Sequence, residues 1–294
     1  MENSLIQQLY IDYKPLLFSL AYKMTGSVSD ADDVVQDVFS KLTNYELKNN
    51  QNVKAFLCKL VTNRSLDLLK SSRKKREIYT GTWLPEPIVQ YEDPLNHVMA
   101  EEDISIALLF LFESLNPIER AIFILREILE YDYKTVADIV QKSESNCRKI
   151  LSRLKKELPD LNKELLPIPA EEHEQTVVTF ISAFQTGKVT NLVKYLQNDI
   201  TYYADGGGKK AAALRPVIGK EKVSALFKAL AIRLLEENYK FQLNTVNGQA
   251  GLTILDPTGF TAVVSFKVYE GKIKAIYYIV NPDKVRHIQN DVSI

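Results

Sequence analysis

Lys59, Asn63, Lys70 and Arg73 fall on one side of a helix at about 100° per residue, together with Thr62 and Leu66. Cations in such a row neutralise phosphates, and an amide such as Asn63 can pair with a base edge. Leu57, Leu60, Val61 and Leu68 take the opposite side. Arg64 and Asp67, three apart, are expected to pair with each other. The window from Lys54 to Arg76 holds eight basic residues and one acidic. Its run Arg73-Lys74-Lys75-Arg76 repels itself unless an anion binds. A solvated surface helix is the plainer reading of the same stripe.

A second basic window, Lys142 to Glu157, has six basic residues and two acidic. Val136, Ala137, Ile139 and Val140 make the apolar side of one helix, Gln141-Lys142-Ser143 the turn, and Ser143 the cap of the next. That next helix would bury Cys147, Ile150, Leu151, Leu154 and Leu158. Its other face presents Ser145, Lys149, Ser152 and Lys156, flanked by Arg148 and Arg153. Such a helix-turn-helix suits a major groove. A third helix carries acid instead. Ser29-Asp30-Ala31-Asp32 resembles a capping box, and Asp30, Asp33, Gln36 and Asp37 lie opposite Ala31, Val34, Val35, Val38, Phe39 and Leu42.

Proline clusters separate these elements: Pro85, Pro87 and Pro94, then Pro159, Pro167 and Pro169. Between Glu86 and Asp103 there are six acids and no Lys or Arg, a stretch able to mimic a nucleic-acid strand. Trp83 within Trp83-Leu84-Pro85 is expected to be a mostly buried anchor. Beyond the second cluster come helical patterns at 177–186 and 189–196. Four β-rich runs follow, at 239–246, 249–255, 260–269 and 272–280, parted by turn residues such as Asn247-Gly248 and Glu270-Gly271. An antiparallel meander backed by helices is the expected result.

Tyr202, Tyr203 and Asp205 lie near one strand end, and Tyr277 and Tyr278 on another. Acid–base chemistry would need a titratable group with a shifted pKa aimed into an apolar cavity. Asp205 precedes Gly206, Gly207, Gly208 and Lys209, which reads as an exposed loop where a neighbour's backbone can approach. Asn281, Pro282, Asp283 and Lys284 follow the last run, with Pro282 ending the ladder and Asp283 capping the turn.

Overall, 37 Lys and Arg balance 37 Asp and Glu in 294 residues, so the segregation is local. At roughly 100–200 residues per domain the chain has room for two or three domains. No apolar run nears the ~18 residues of a membrane span. The start, MENSLIQQLY, does not resemble a secretory signal. Cys58 and Cys147 have no CxxC partner, and His97, His173 and His287 are scattered, so neither a disulfide framework nor a metal site is expected. A reducing cytosol fits.

The runs at 21–42 and 52–77 resemble region 2 of extracytoplasmic-function sigma factors, and 115–158 resembles their region 4. WLPEP at 83–87, DGGGK at 205–209 and NPDK at 281–284 resemble marks of the subgroup with a fused C-terminal SnoaL-like domain. The resemblance implies two all-α sigma domains, at 1–77 and 104–158, followed by an α+β cone at 171–294. An acidic linker at 78–103 and a Pro-rich one at 159–170 would join them. It implies a cytoplasmic protein with core RNA polymerase and promoter DNA as partners. Asp30, Asp33, Gln36 and Asp37 would bind polymerase. Lys59, Asn63, Lys70 and Arg73 would act at the −10 element; Ser145, Arg148, Lys149, Ser152 and Arg153 at the −35 element. Trp83, Asp205 to Lys209 and Asn281 to Lys284 would form a regulatory contact between the SnoaL-like and sigma domains. No cofactor, metal or catalytic residue is implied, and a small-molecule ligand is left open. The competing readings are an isomerase-type enzyme or ligand sensor carrying a DNA-binding arm, and an ordinary helix-turn-helix repressor.

Overall fold

The computed structural model describes residues 2–42, 52–90, 104–164, 169–185, 192–256 and 259–291. Contacts divide the chain into two units: Met1–Glu77 with Leu109–Leu165, and Ile78–Leu108 with Leu166–Ile294. The region-2-like and region-4-like helices thus pack as one body, while the residues between them belong to the other.

The first unit opens with α1 (Glu2–Thr25), α2 (Val28–Leu42) and α3 (Val53–Glu77). The six apolar residues expected on one side of α2 are all buried. Its cap is Ser27 rather than Ser29, since Ser27 Oγ accepts the Asp30 N–H at 3.1 Å. That satisfies a donor which the first helical turn leaves open. On α3, Arg64 does not pair with Asp67. It reaches Asp37 on α2 at 2.6 Å, and Asp67 pairs with Lys70 at 3.1 Å. A partner on a packed neighbouring helix took Arg64, an outcome that spacing within one helix could not reveal.

After α4 (Ile106–Phe112), a reciprocal cap between Asn116 and Glu119 starts α5 (Pro117–Phe123). A π-helical turn, Ile124–Ile128, leads to α6 (Tyr133–Val140), α7 (Glu144–Glu157) and α8 (Pro159–Glu164). Pro159 is therefore the first residue of a helix, a position where its missing N–H is harmless, and not linker. Buried Arg120 ties the unit together. It donates to Met24 O at 2.6 Å and Phe112 O at 2.7 Å, and pairs with Glu113 at 2.8 Å.

The second unit is a seven-stranded sheet with helices. Its elements are β1 (Val89–Gln90), α9 (Ala170–Gln185), β2 (Leu196–Asp205), β3 (Val217–Ile218), α10 (Lys220–Glu236), β4 (Lys240–Val246), β5 (Gln249–Asp256), β6 (Gly259–Tyr269), β7 (Lys272–Ile279) and α11 (Pro282–Asp291). The order is β1-β4-β5-β6-β7-β2-β3. Strands β4 to β7 form the expected meander, but β2 lies parallel to β7 and β1 comes from the segment after Trp83. The helical pattern at 189–196 is a correction: Val193–Tyr195 is a short 3-10 turn and Leu196 already opens β2. Register shifts within β2, β5 and β6 mark bulges that curve the sheet. Val177, Phe180, Ile181, Val223 and Phe227 from α9 and α10 fill the concave side with residues of β2, β5, β6 and β7. The result is the α+β cone that the resemblance implied.

Candidate nucleic-acid interface and linker dock

On α2, Asp33 and Gln36 are exposed and Asp30 is partly exposed. Asp37 shares its carboxylate with Arg64, so this face is less free than its sequence suggests. On α3, Thr62 is fully buried and Leu66 nearly so, which removes both from the expected stripe. Lys59 and Asn63 are partly exposed, and Lys70 is exposed beside Asp67. A carboxylate thus sits among the cations. The side chains of residues 72–77, Arg73 included, lie outside the described residues.

The helix-turn-helix is built as its residues dictate. Gln141 takes the left-handed conformation that turns the chain, and Ser143 Oγ accepts the Asn146 N–H at 3.2 Å. Cys147, Leu151 and Leu154 seal α7 against the unit. Burial pushes the Cys147 thiol up, so it stays a packing group. Ser145, Lys149, Ser152 and Lys156 are exposed along the outer face. The flanking arginines are held at home: Arg148 pairs with Glu144 at 3.1 Å over the Tyr133 ring, and Arg153 pairs with Glu119. These pairs leave the serines and lysines as the open groups of the surface.

The residues expected to form the regulatory contact are brought together, within the second unit, around Asp205. This residue is not in an exposed loop; it is 1% exposed. Its carboxylate accepts from Tyr79 Oη at 2.5 Å, Leu84 N at 2.8 Å, Gly207 N at 3.0 Å and Lys284 Nζ at 2.7 Å. Four donors, one charged, let a carboxylate stay buried. Lys284 also donates to Leu84 O and lies 3.8 Å from the Trp83 ring centroid. Trp83 is largely covered, as expected of an anchor, and Leu84 fills the dock at 0% exposure. Asn281 Nδ2 donates to Tyr79 Oη at 2.8 Å, and burial together with the Asp205 contact holds the Tyr79 phenol protonated, its pKa raised.

The glycines have steric reasons. A Cβ at Gly206 would lie 2.2 Å from Lys210 O, and one at Gly207, where φ is +59°, 2.3 Å from Asn281 Nδ2. Lys209 pairs with Asp283 at 2.6 Å. Asn281, not Asp283, caps α11, its Oδ1 accepting the Asp283 N–H at 3.1 Å, with Pro282 as first helical residue. Two residues that the sequence did not single out for this role, Asn247 and His287, complete the grip. Asn247 Oδ1 accepts Ile88 N at 2.9 Å, and Asn247 Nδ2 donates to Ile104 O at 3.1 Å. His287 Nε2 donates to Pro87 O at 2.8 Å. The signal for Asn247 was masked by its role as a turn residue. Of the acidic stretch, Glu86 is buried in this segment, and residues 92–103 lie outside the described residues.

Tyr202 and Tyr278 face an internal cavity, whereas Tyr203 and Tyr277 stack with each other at 5.4 Å on the adjacent strand positions. Asp205 does not line the cavity; Asp256, at the end of β5, does. His173, the histidine of this core, donates to Phe266 O at 3.1 Å, and burial pushes its pKa down. No helix among the described residues is long and apolar enough to cross a membrane.

Residues 9–75 match the Sigma-70 region 2 family and residues 105–158 match Sigma-70, region 4. The chain is 34% identical over 284 residues to the ECF RNA polymerase sigma factor SigJ of Mycobacterium tuberculosis, covering 91% of this chain and 89% of that one. It is 25% identical to a probable ECF RNA polymerase sigma factor, SigI, of the same organism, over 96% and 95% of the two chains. The crystal structure of the Mycobacterium tuberculosis extracytoplasmic function sigma factor SigJ superposes with a TM-score of 0.77 at 31% identity, covering 94% of this chain and 96% of that one.

Proposed function

Because the chain belongs to the extracytoplasmic-function RNA polymerase sigma factors, we propose that it binds core RNA polymerase and directs initiation at one class of promoter. Its C-terminal SnoaL-like domain sets that activity. The acidic face of α2 meets polymerase through Asp30, Asp33 and Gln36. Lys59, Asn63, Lys70 and Arg73 act at the −10 element, and Ser145, Lys149 and Ser152 read the −35 element, with Arg148 and Arg153 bracing α7. Polymerase and DNA place the protein in the cytoplasm. No catalytic role is assigned, since the carboxylate of Asp205 is occupied by the donors of the dock. An enzyme on a DNA-binding arm is not favoured, because the relatives that span nearly the whole chain are sigma factors.

One observation carries the regulatory part. The segment from Tyr79 to Ile104, which joins the two sigma segments, is bonded into the C-terminal domain at both its ends, through Asp205 and Asn247. A domain that holds the connector controls how freely the segments on either side can be placed on a promoter, and a switch would follow if that hold differs between two arrangements.

The polymerase part is tested by retention of purified core RNA polymerase on the immobilised protein. The wild type should retain it. Asp33→Lys should weaken retention with melting unchanged, because Asp33 is exposed on the far side of the buried stripe. No retention by the wild type contradicts the function, and undiminished retention by Asp33→Lys contradicts the role given to α2.

A further inference from the structure

The first turn of the second helix is the part of a helix-turn-helix that meets base edges. In α7 that turn is Glu144, Ser145 and Asn146, behind the Ser143 cap, and Asn146 is the one amide side chain of the helix. Asn146 is exposed and stands three residues before Lys149, so the two are neighbours on the outer side of α7. Its backbone N–H is committed to Ser143 Oγ at 3.2 Å, while its side-chain amide is left open among the described residues.

The turn that carries Asn146 is pinned from beneath. Cys147, the next residue, is fully buried. Arg148 lies 4.0 Å from the centre of the Tyr133 ring and pairs with Glu144 at 3.1 Å. Arg126, from the π-helical turn, lies 4.9 Å from the same ring and donates to Tyr131 O at 2.8 Å. A cap bond, a buried neighbour and a cation on a ring thus hold the backbone at Asn146 in place. A two-point contact to a base needs such support, since its groups must be held to within about 0.5 Å.

The side chains on this surface differ in what they can distinguish. The Ser145 and Ser152 hydroxyls both donate and accept, and so suit more than one base; Lys149 only donates. Arg148 and Arg153, whose forks match guanine at two points, are engaged by Glu144 and Glu119. The amide of Asn146 carries a donor and an acceptor in one plane. That is the complement of the N7 acceptor and N6 donor that adenine shows in the major groove. We propose that Asn146 is a specificity-determining residue of α7 and reads an adenine of the −35 element. This role rests on the reading of α7 as the −35 helix.

The test uses holoenzyme, the full chain with core RNA polymerase, and a duplex library randomised upstream of a −10 element at which that holoenzyme initiates. Selection with the wild type should enrich an upstream element with a fixed adenine on one strand, preferred by about 5- to 100-fold, the discrimination of one two-point contact. Asn146→Ala should lose the preference at that position alone, with melting unchanged because the side chain is exposed. Placing 7-deazaadenine there, which lacks the N7 acceptor, should weaken binding of the wild type and leave binding of Asn146→Ala as it was. If the wild type enriches no upstream element, the reading of α7 as the −35 helix falls, and the proposal with it. An enriched element without a fixed adenine overturns the proposal alone. So does an Asn146→Ala holoenzyme that keeps the adenine preference, loses every position evenly, or still responds to 7-deazaadenine.

Discussion

Asp205 is the residue through which distant stretches of the chain meet: Tyr79 lies 126 positions away and Lys284 lies 79 away. Truncating one member of a buried ion pair leaves the other charge without compensation, at a cost of about 3–5 kcal/mol. Asp205→Ala should therefore lower the stability of the second unit by that order in urea denaturation, and Lys284→Met added to it should restore part of the loss. A single variant as stable as the wild type would show that the dock contributes little. At this scale the sequence singled out Asp205 and Lys284 but not the contacts they make. A carboxylate before three glycines has the local pattern of an open loop. Its burial follows from partners that no local window contains.

Among the elements, those with a strong apolar period were legible and those decided by neighbours were not. The buried side of α2 and the turn, cap and sealed face of α7 follow from spacing alone. The basic stripe of α3 was misread at Thr62 and Leu66, because a helix packed on more than one side buries residues that a single amphipathic face would leave out. The parallel seat of β2 against β7 and the recruitment of β1 are tertiary outcomes, set by which edges the sheet offered. The structure also sharpens what to expect of α7. Arg153 is engaged with Glu119, so its loss would disturb the helix as well as any DNA contact. Lys149 is exposed and gives the cleaner experiment. Lys149→Ala should cost about 1–3 kcal/mol in holoenzyme binding to its promoter if the lysine contacts a base, and should mainly flatten the salt dependence if it contacts a phosphate. Electrophoretic mobility shifts over a salt series distinguish these, and no change in either quantity would remove Lys149 from the interface.

The molecule as a whole is organised by its connector. Prolines and acids between Trp83 and Asp103 suggested a tether, yet the described part of that stretch is structural material of the C-terminal unit, contributing a strand and several backbone hydrogen bonds. A chain that commits its connector to a third domain couples that domain to both sigma segments by covalent continuity. All of this serves one claim, that the protein directs RNA polymerase to particular promoters. Run-off transcription of fragmented genomic DNA from the source organism, by core RNA polymerase with and without the full-length protein, tests it most directly. The account predicts new transcripts whose starts share a −35 and a −10 element at fixed spacing and which vanish when the protein is omitted. The same set of starts with and without the protein would contradict it.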